Sequence, residues 1–198
     1  MRHSKPLFLL AVYLLFSSQA FAQLQAPAPE PFPPEPPAPR VLMLVPDEFA
    51  GYVYVSRHRE RETVSRFGEE ALDLFSTFLR DRFSAFQLNP VRDESEARMM
   101  VSHDNPDPMT AGFDYVAIPR FQNVRYWAKD SEYGFDIDIV VAFYPVSGSV
   151  YMEIRGHGET TTGVHSGTSP GASGSLALRN AVDAVRDGVL RWQAARRS

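Results

Sequence analysis

His103, Asp104 and Asp107 put an imidazole and two carboxylates within five residues, a donor set that a divalent cation could use. Their spacing corresponds to no metal motif with a known mechanism, and Asp104-Asn105-Pro106-Asp107-Pro108 is built from turn-forming residues, so the run reads as a loop. Asp136 and Asp138 lie two apart in a β-prone stretch and so share one strand face, as a paired acid and base would. Their alternation with apolar residues makes them outward, solvated side chains. His157 and His165 flank a polar stretch that includes Ser166 and Ser169. Nothing like Gly-x-Ser-x-Gly holds either serine on a strained elbow, and no triad can be assembled. The segment from Gly163 to Gly174 has neither a Lys-Ser or Lys-Thr ending nor Gly-x-Gly-x-x-Gly spacing ahead of a helix. It reads as a flexible loop, not as a phosphate cradle. The sequence thus assigns no catalytic, metal-ligating or cofactor-binding residue, and no cofactor is expected.

Recognition is the remaining chemistry. Tyr126, Trp127 and Tyr133, with the Gly/Ser/Thr-rich loop from Thr160 to Ser175, form a candidate protein-binding surface, because aromatic residues beside charged ones are common at interfaces. The competing reading has Tyr126 and Trp127 finishing a strand and packing under that loop.

The chain carries an address at its start. Arg2 and Lys5 precede the apolar run Leu7 to Phe16, and Ala20-Phe21-Ala22 supplies the small residues a signal peptidase reads. Residues 1–22 are expected to be a signal peptide cut after Ala22, with delivery to the periplasm. The apolar run is shorter than the roughly 20 residues a membrane-spanning helix needs. Cysteine is absent, which excludes disulfides, thiolate zinc sites, a cysteine nucleophile and a lipid-modified amino terminus. The formal charge of −4 becomes −6 when Arg2 and Lys5 leave with the leader, and that acidity argues against a nucleic-acid partner. Between Gln23 and Pro39 stand eight of the sixteen prolines, a tract poor in amide donors that reads as an extended, disordered spacer over residues 23–39. A docking role for it stays open.

The elements that must position any site follow. Val41 to Val45 is a short continuous apolar run, the pattern of a strand buried on both faces. Tyr52 to Val55 adds a β-prone piece. From Ser65, a serine cap, Glu69 and Glu70, and apolar residues at Phe67, Ala71, Phe75, Phe78, Leu79, Phe83 and Phe86 predict a helix with one buried stripe. Residues 86–91 read as a strand stopped by Pro90. Asp93 with Glu96 has the spacing of a capping pair for a shorter helix ending near Asn105, before Pro106 and Pro108. Tyr115 to Trp127, Phe135 to Tyr144 and Val150 to Gly158 read as long antiparallel strands, with Pro119 marking a bulge or edge and Val146 to Ser149 a tight turn. Leu178, Val182, Val185, Val189 and Trp192 step along a closing helix. The expected fold is α+β: a mixed, largely antiparallel sheet of about five strands with two main helices on one face, in one domain over residues 40–195.

With the phrases Ala111-Gly112-Phe113-Asp114-Tyr115-Val116-Ala117-Ile118, Tyr144-Pro145-Val146-Ser147-Gly148-Ser149-Val150 and Ala177-Leu178-Arg179-Asn180-Ala181, the chain resembles the envelope α/β domain of the TolB amino-terminal region, the curli-secretion lipoproteins and several penicillin-binding-protein activators. The resemblance covers roughly residues 40–195. It implies a non-catalytic protein that binds envelope proteins or assembles into rings and scaffolds. The chain departs from several members in having no lipid-attachment cysteine, no room for a carboxyl-terminal propeller and no long insertion suited to pore-lining hairpins. Three functions follow in order: a periplasmic binding or adaptor module of envelope assembly, a subunit of an outer-membrane secretion or scaffold oligomer, and a metal-dependent hydrolase around His103. Envelope proteins are the expected partners, and peripheral outer-membrane association and homo-oligomerisation remain compatible with the sequence.

Overall fold

The computed structural model describes residues 37–58, 61–102, 107–146 and 151–196. Strand β1 (Arg40–Pro46) is the apolar run, with Val41 to Leu44 fully buried. Because successive side chains point to opposite faces, Val41, Met43 and Val45 enter a large core on one side while Leu42 and Leu44 enter a smaller one on the other. A single turn of helix, α1 (Asp47–Ala50), follows. The β-prone piece then becomes the first arm of a two-stranded hairpin, β2 (Tyr54–His58) and β3 (Arg61–Ser65), separate from the main sheet.

Helix α2 (Phe67–Arg80) buries Phe67, Ala71, Phe75 and Leu79 of the predicted stripe but ends before Phe83 and Phe86, and Phe86 pairs with Val41 in the sheet instead. Its start differs from the serine cap expected. Ser65 is the last residue of β3, and Arg66 at the cap position makes no side-chain cap hydrogen bond. Strand pairing has claimed the serine. Strand β4 (Ala85–Val91) runs parallel to β1 and includes Pro90 at the sheet's edge, where a missing amide costs no ladder bond. Asp93 caps α3 (Glu94–Met100) by accepting from the Glu96 amide at 2.8 Å, and Glu96 Oε2 accepts from the Arg92 amide at 2.6 Å. This helix stops at Met100, earlier than the prolines require, and packs Ala97 into the smaller core.

Strand β5 (Tyr115–Lys129) pairs parallel to β1 only over Tyr115 to Ala117, then continues antiparallel to β6 (Glu132–Pro145). Pro119 stands just past the last β1 pairing, and the register shifts between Phe121 and Asn123, so the irregularity falls where β5 loses one neighbour. Strand β7 (Met152–Glu159) pairs antiparallel to β6, and the short β8 (Thr162–Gly163) extends that pairing along the same side. The order β4-β1-β5-β6-β7 is the mixed, largely antiparallel sheet of an α+β protein.

Helix α4 (Pro170–Ala195) closes the large core with Ala177, Leu178, Ala181, Val182, Val185 and Val189. It begins inside the segment that reads as a flexible loop. Ser169 Oγ accepts from the Ala172 amide at 3.2 Å and Pro170 occupies the first turn, a favourable helix start. The small residues of that segment are there for approach. A Cβ on Gly174 would stand 2.7 Å from the Phe67 ring and 3.3 Å from that of Phe135. Helices α2 and α4 are tied by Ser175 Oγ donating to Glu70 Oε2 at 2.8 Å.

Candidate functional site

Helix packing covers one face of β5, β6 and β7; on the other, Val116 and Ile118 join the smaller core with Ala97 of α3, Val140 and Ala142 are buried, and charged side chains occupy the stretch around Asp136 and Asp138. Along β6, Phe135, Ile137, Ile139, Val141 and Phe143 point into the core beneath the helices. Asp136 and Asp138 therefore face outward. Along β7 the same alternation sends Ile154 inward and Glu153, Arg155 and His157 to the open side. Strand register then matches them. Asp138 pairs directly with His157, and Val140 with Arg155.

The result is a lattice of ion pairs across three strands. Arg120 Nη2 donates to Glu153 Oε1 at 2.9 Å, and Arg155 Nη2 donates to Glu153 Oε2 at 3.1 Å. Arg120 first and Arg155 second hold the Glu153 carboxyl below its ordinary range. Arg125 Nη2 donates to Asp136 Oδ2 at 2.8 Å, and Asn123 Nδ2 donates to Asp138 Oδ2 at a long 3.4 Å. The remaining oxygens converge on one imidazole nitrogen. His157 Nδ1 is 2.9 Å from Asp138 Oδ1 and 3.6 Å from Asp136 Oδ1. Its hydrogen bond to Asp138, reinforced by the charges of Asp138, Asp136 and Glu159, raises the imidazole pKa above its ordinary value. The His157 side chain is 58 % exposed and that of Asp136 17 %, so the cluster opens to solvent from a supported floor.

A shallow groove lies at the carboxyl end of β1, between α1, the start of α3 and Pro119 to Phe121 of β5. Phe49 stacks on Phe121 with ring centroids 4.7 Å apart, Tyr52 lies 4.6 Å from the same ring, and Glu48, Glu94 and Arg120 stand at the rim. Its volume is about 230 Å³. A second hollow of about 90 Å³ lies between Val101, Thr110 and Tyr144.

The residues singled out from sequence divide cleanly. His103 and Asp104 lie outside the described residues, as does the turn residue Gly148. Asp107 is a cap: its Oδ1 accepts from the Met109 amide at 2.8 Å to start the short 3-10 turn Pro108–Thr110. Ser166 Oγ accepts from the Thr168 amide, and Ser169 is the cap of α4. Tyr133 is only 3 % exposed, and its hydroxyl donates to the Thr168 carbonyl, so it braces the loop from beneath and offers no surface. Tyr126 is half-buried against Tyr133 and Phe135, and Trp127 is half-buried over Gly134. Sequence reasoning did not connect His157 with the two aspartates. Its place in the alternation Glu153, Arg155, His157, Glu159 marks the polar face, but the pairing that brings it to Asp138 is a register.

No family model matches the chain, and no curated protein matches it. Several solved structures resemble it, three of them as follows. The hypothetical protein CT253 of Chlamydia trachomatis is 11 % identical with a TM-score of 0.43, the match covering 79 % of this chain and 97 % of that one. A dodecameric PelC variant of Paraburkholderia phytofirmans is 10 % identical with a TM-score of 0.36, covering 77 % of this chain and 92 % of that one. The lipoprotein GNA1162 of Neisseria meningitidis is 12 % identical, also with a TM-score of 0.36, covering 77 % of this chain and 99 % of that one. Likenesses this distant carry no argument about this chain's activity.

Proposed function

We propose that this chain is an exported, non-catalytic binding or adaptor module of cell-envelope assembly, acting in the periplasm through a single α/β binding domain at residues 40–195. In this reading residues 1–22 are the signal peptide, residues 23–39 the spacer, and envelope proteins the partners, in keeping with the TolB-type resemblance. The observation that carries it is the charged stretch of β5, β6 and β7 on the face away from α4. A sheet covered by helices on one side holds Arg120, Arg125, Asp136, Asp138, Glu153, Arg155 and His157 in fixed register on the other. Such a platform suits a flat macromolecular surface, and the edge of β7 beside it has no further strand among the described residues. The groove of about 230 Å³ falls below the roughly 300 Å³ at which small-molecule sites begin. No described helix is long and apolar enough to cross a membrane.

The test is site-specific photo-crosslinking in cells, with the probe at Arg155 on the open face or at Arg186 on α4. A discrete adduct with an envelope protein at Arg155, missing at Arg186, is the expected result. Equal labelling at both positions, or none at Arg155, overturns the proposal. Trp127 is retained at the end of the surface, and Trp127→Ala that alters neither the adducts nor stability removes it.

A second reading, a subunit of a secretion or scaffold oligomer, is favoured by Val53, Val55 and Val64. They are about half exposed on and beside the separate hairpin, where Val55 and Val64 are paired. Sedimentation of the mature protein separates the two: an adaptor runs as a monomer, and Val64→Ser dissociates an oligomer built on those valines.

A further inference from the structure

We propose that Asp136, Asp138 and His157 form a binding site for one divalent transition-metal ion of the zinc type. Three ligating atoms, one from each residue, lie within 4.8 Å of one another. Metal–ligand bonds of about 2.0–2.2 Å set the edges of a tetrahedral site at roughly 3.3–3.6 Å. The separations from His157 Nδ1 to Asp138 Oδ1 and to Asp136 Oδ1, 2.9 and 3.6 Å, bracket that range. Adjustments of a few tenths of an ångström in side-chain torsions would seat the ion.

The surroundings supply a second and independent observation. Each aspartate has its outer oxygen, Oδ2, held by a donor from β5: Arg125 on Asp136 and Asn123 on Asp138. Both inner oxygens are thereby turned toward the same nitrogen. Outer donors that orient ligating carboxylates are what a metal centre requires of its protein. The three residues sit on paired central and edge strands, so the separation between them is fixed by the ladder and not by a loop.

One imidazole with two carboxylates suits zinc and its neighbours better than calcium, which needs six to eight oxygens. A ring protonated at Nδ1 aims that proton at the two carboxylates. Binding expels that proton from Nδ1, leaves the other on Nε2, and keeps the outer face of the ion for water or a partner's ligand atom. The aspartates thus serve two states, as partners of an imidazolium or as ligands of a cation.

The test is titration of the mature, chelator-treated chain with Zn²⁺ by calorimetry at pH 7.5 and 5.5, with Co²⁺ absorption reporting geometry. Variants His157→Ala and Asp136→Asn/Asp138→Asn are compared with Arg155→Ala, whose side chain lies on the same face outside the cluster. His157 is largely exposed, and circular dichroism verifies the fold of each variant. The expected result is one Zn²⁺ equivalent that weakens at least tenfold at pH 5.5, disappears in both cluster variants and persists in Arg155→Ala. Weak binding at His58, His103 and His165 would be common to all variants. Absence of a one-equivalent site in the parent chain, or its survival in His157→Ala, overturns the proposal. The crosslinking outcome at Arg155 does not bear on it, so the two readings stand or fall separately.

Discussion

Gly158 of β7 lies so close to helix α4 that a Cβ at this position would overlap the carbonyl oxygen of Ala177, and Gly156 stands in the same relation to Ala181. The helix rests on the glycine backbone of the edge strand. That approach lets Ala177, Ala181 and Val185 reach the core beneath β6 and β7. Gly158→Ala must push the helix outward, and is expected to cost about 1–3 kcal/mol in urea unfolding. Gly163→Ala, where an added Cβ meets nothing within 4 Å, should change stability by less than about 0.5 kcal/mol. Equal effects at the two positions would contradict the packing described.

Thr160 is 7 % exposed and stands where the β6–β7 ladder gives way to β8. Its Oγ1 accepts from the Phe135 amide at 3.1 Å and lies 2.9 Å from Ser173 Oγ at the start of α4. Thr160→Val keeps the shape and removes the acceptor, which leaves a buried amide unmet. The expected loss is about 1–3 kcal/mol by chemical denaturation, with little change in the folded circular-dichroism spectrum. A variant as stable as the parent would show that the hydroxyl does not link strand to helix.

Phe135 is fully buried and meets Phe67, Tyr54 and Tyr126, each with ring centroids within 6 Å of its own. It joins the hairpin, α2 and β5 in one cluster. Phe135→Ala should cost about 3–5 kcal/mol. Val64→Ser, on the exposed side of the hairpin, should leave the unfolding midpoint of the monomer nearly unchanged.

His157 gives stability a pH dependence with a definite sign. Its folded pKa is raised, first by the Asp138 hydrogen bond, so the protonated form is favoured in the folded chain. That contribution is complete below the unfolded value of about 6.5 and fades as pH rises through the higher folded value. With chelator present, the melting-temperature difference between parent and His157→Ala should be largest near pH 6 and shrink toward pH 8.5. A difference that grows with pH would contradict the pairing.

Periodicity made most of the scaffold legible. The run Val41 to Val45 could only be a strand buried on both faces, the spacing of Phe67, Ala71, Phe75 and Leu79 defined a helix stripe, and the alternation around Asp136 and Asp138 fixed which face they occupy. These are local signals, carried by residues within one turn or one pleat of each other. The start of α4 was hidden because Gly171, Ser173 and Gly174 look like loop residues until Thr63, Thr160 and the Phe67 and Phe135 rings are set against them in turn. Helix propensity was outweighed there by the need for close packing.

The amino-acid sequence alone determined the main strands and helices in their order, their amphipathic faces and the absence of cysteine chemistry. Only the tertiary structure decided that His157 lies opposite Asp138, that Tyr133 is interior, and that charged side chains of β5, β6 and β7 meet on the face away from α4. Pattern along a chain says which side of a strand a residue takes. Which residue meets it across the ladder is set by how β6 and β7 slide into register while Gly156 and Gly158 seat the helix, and that is a property of the packed whole.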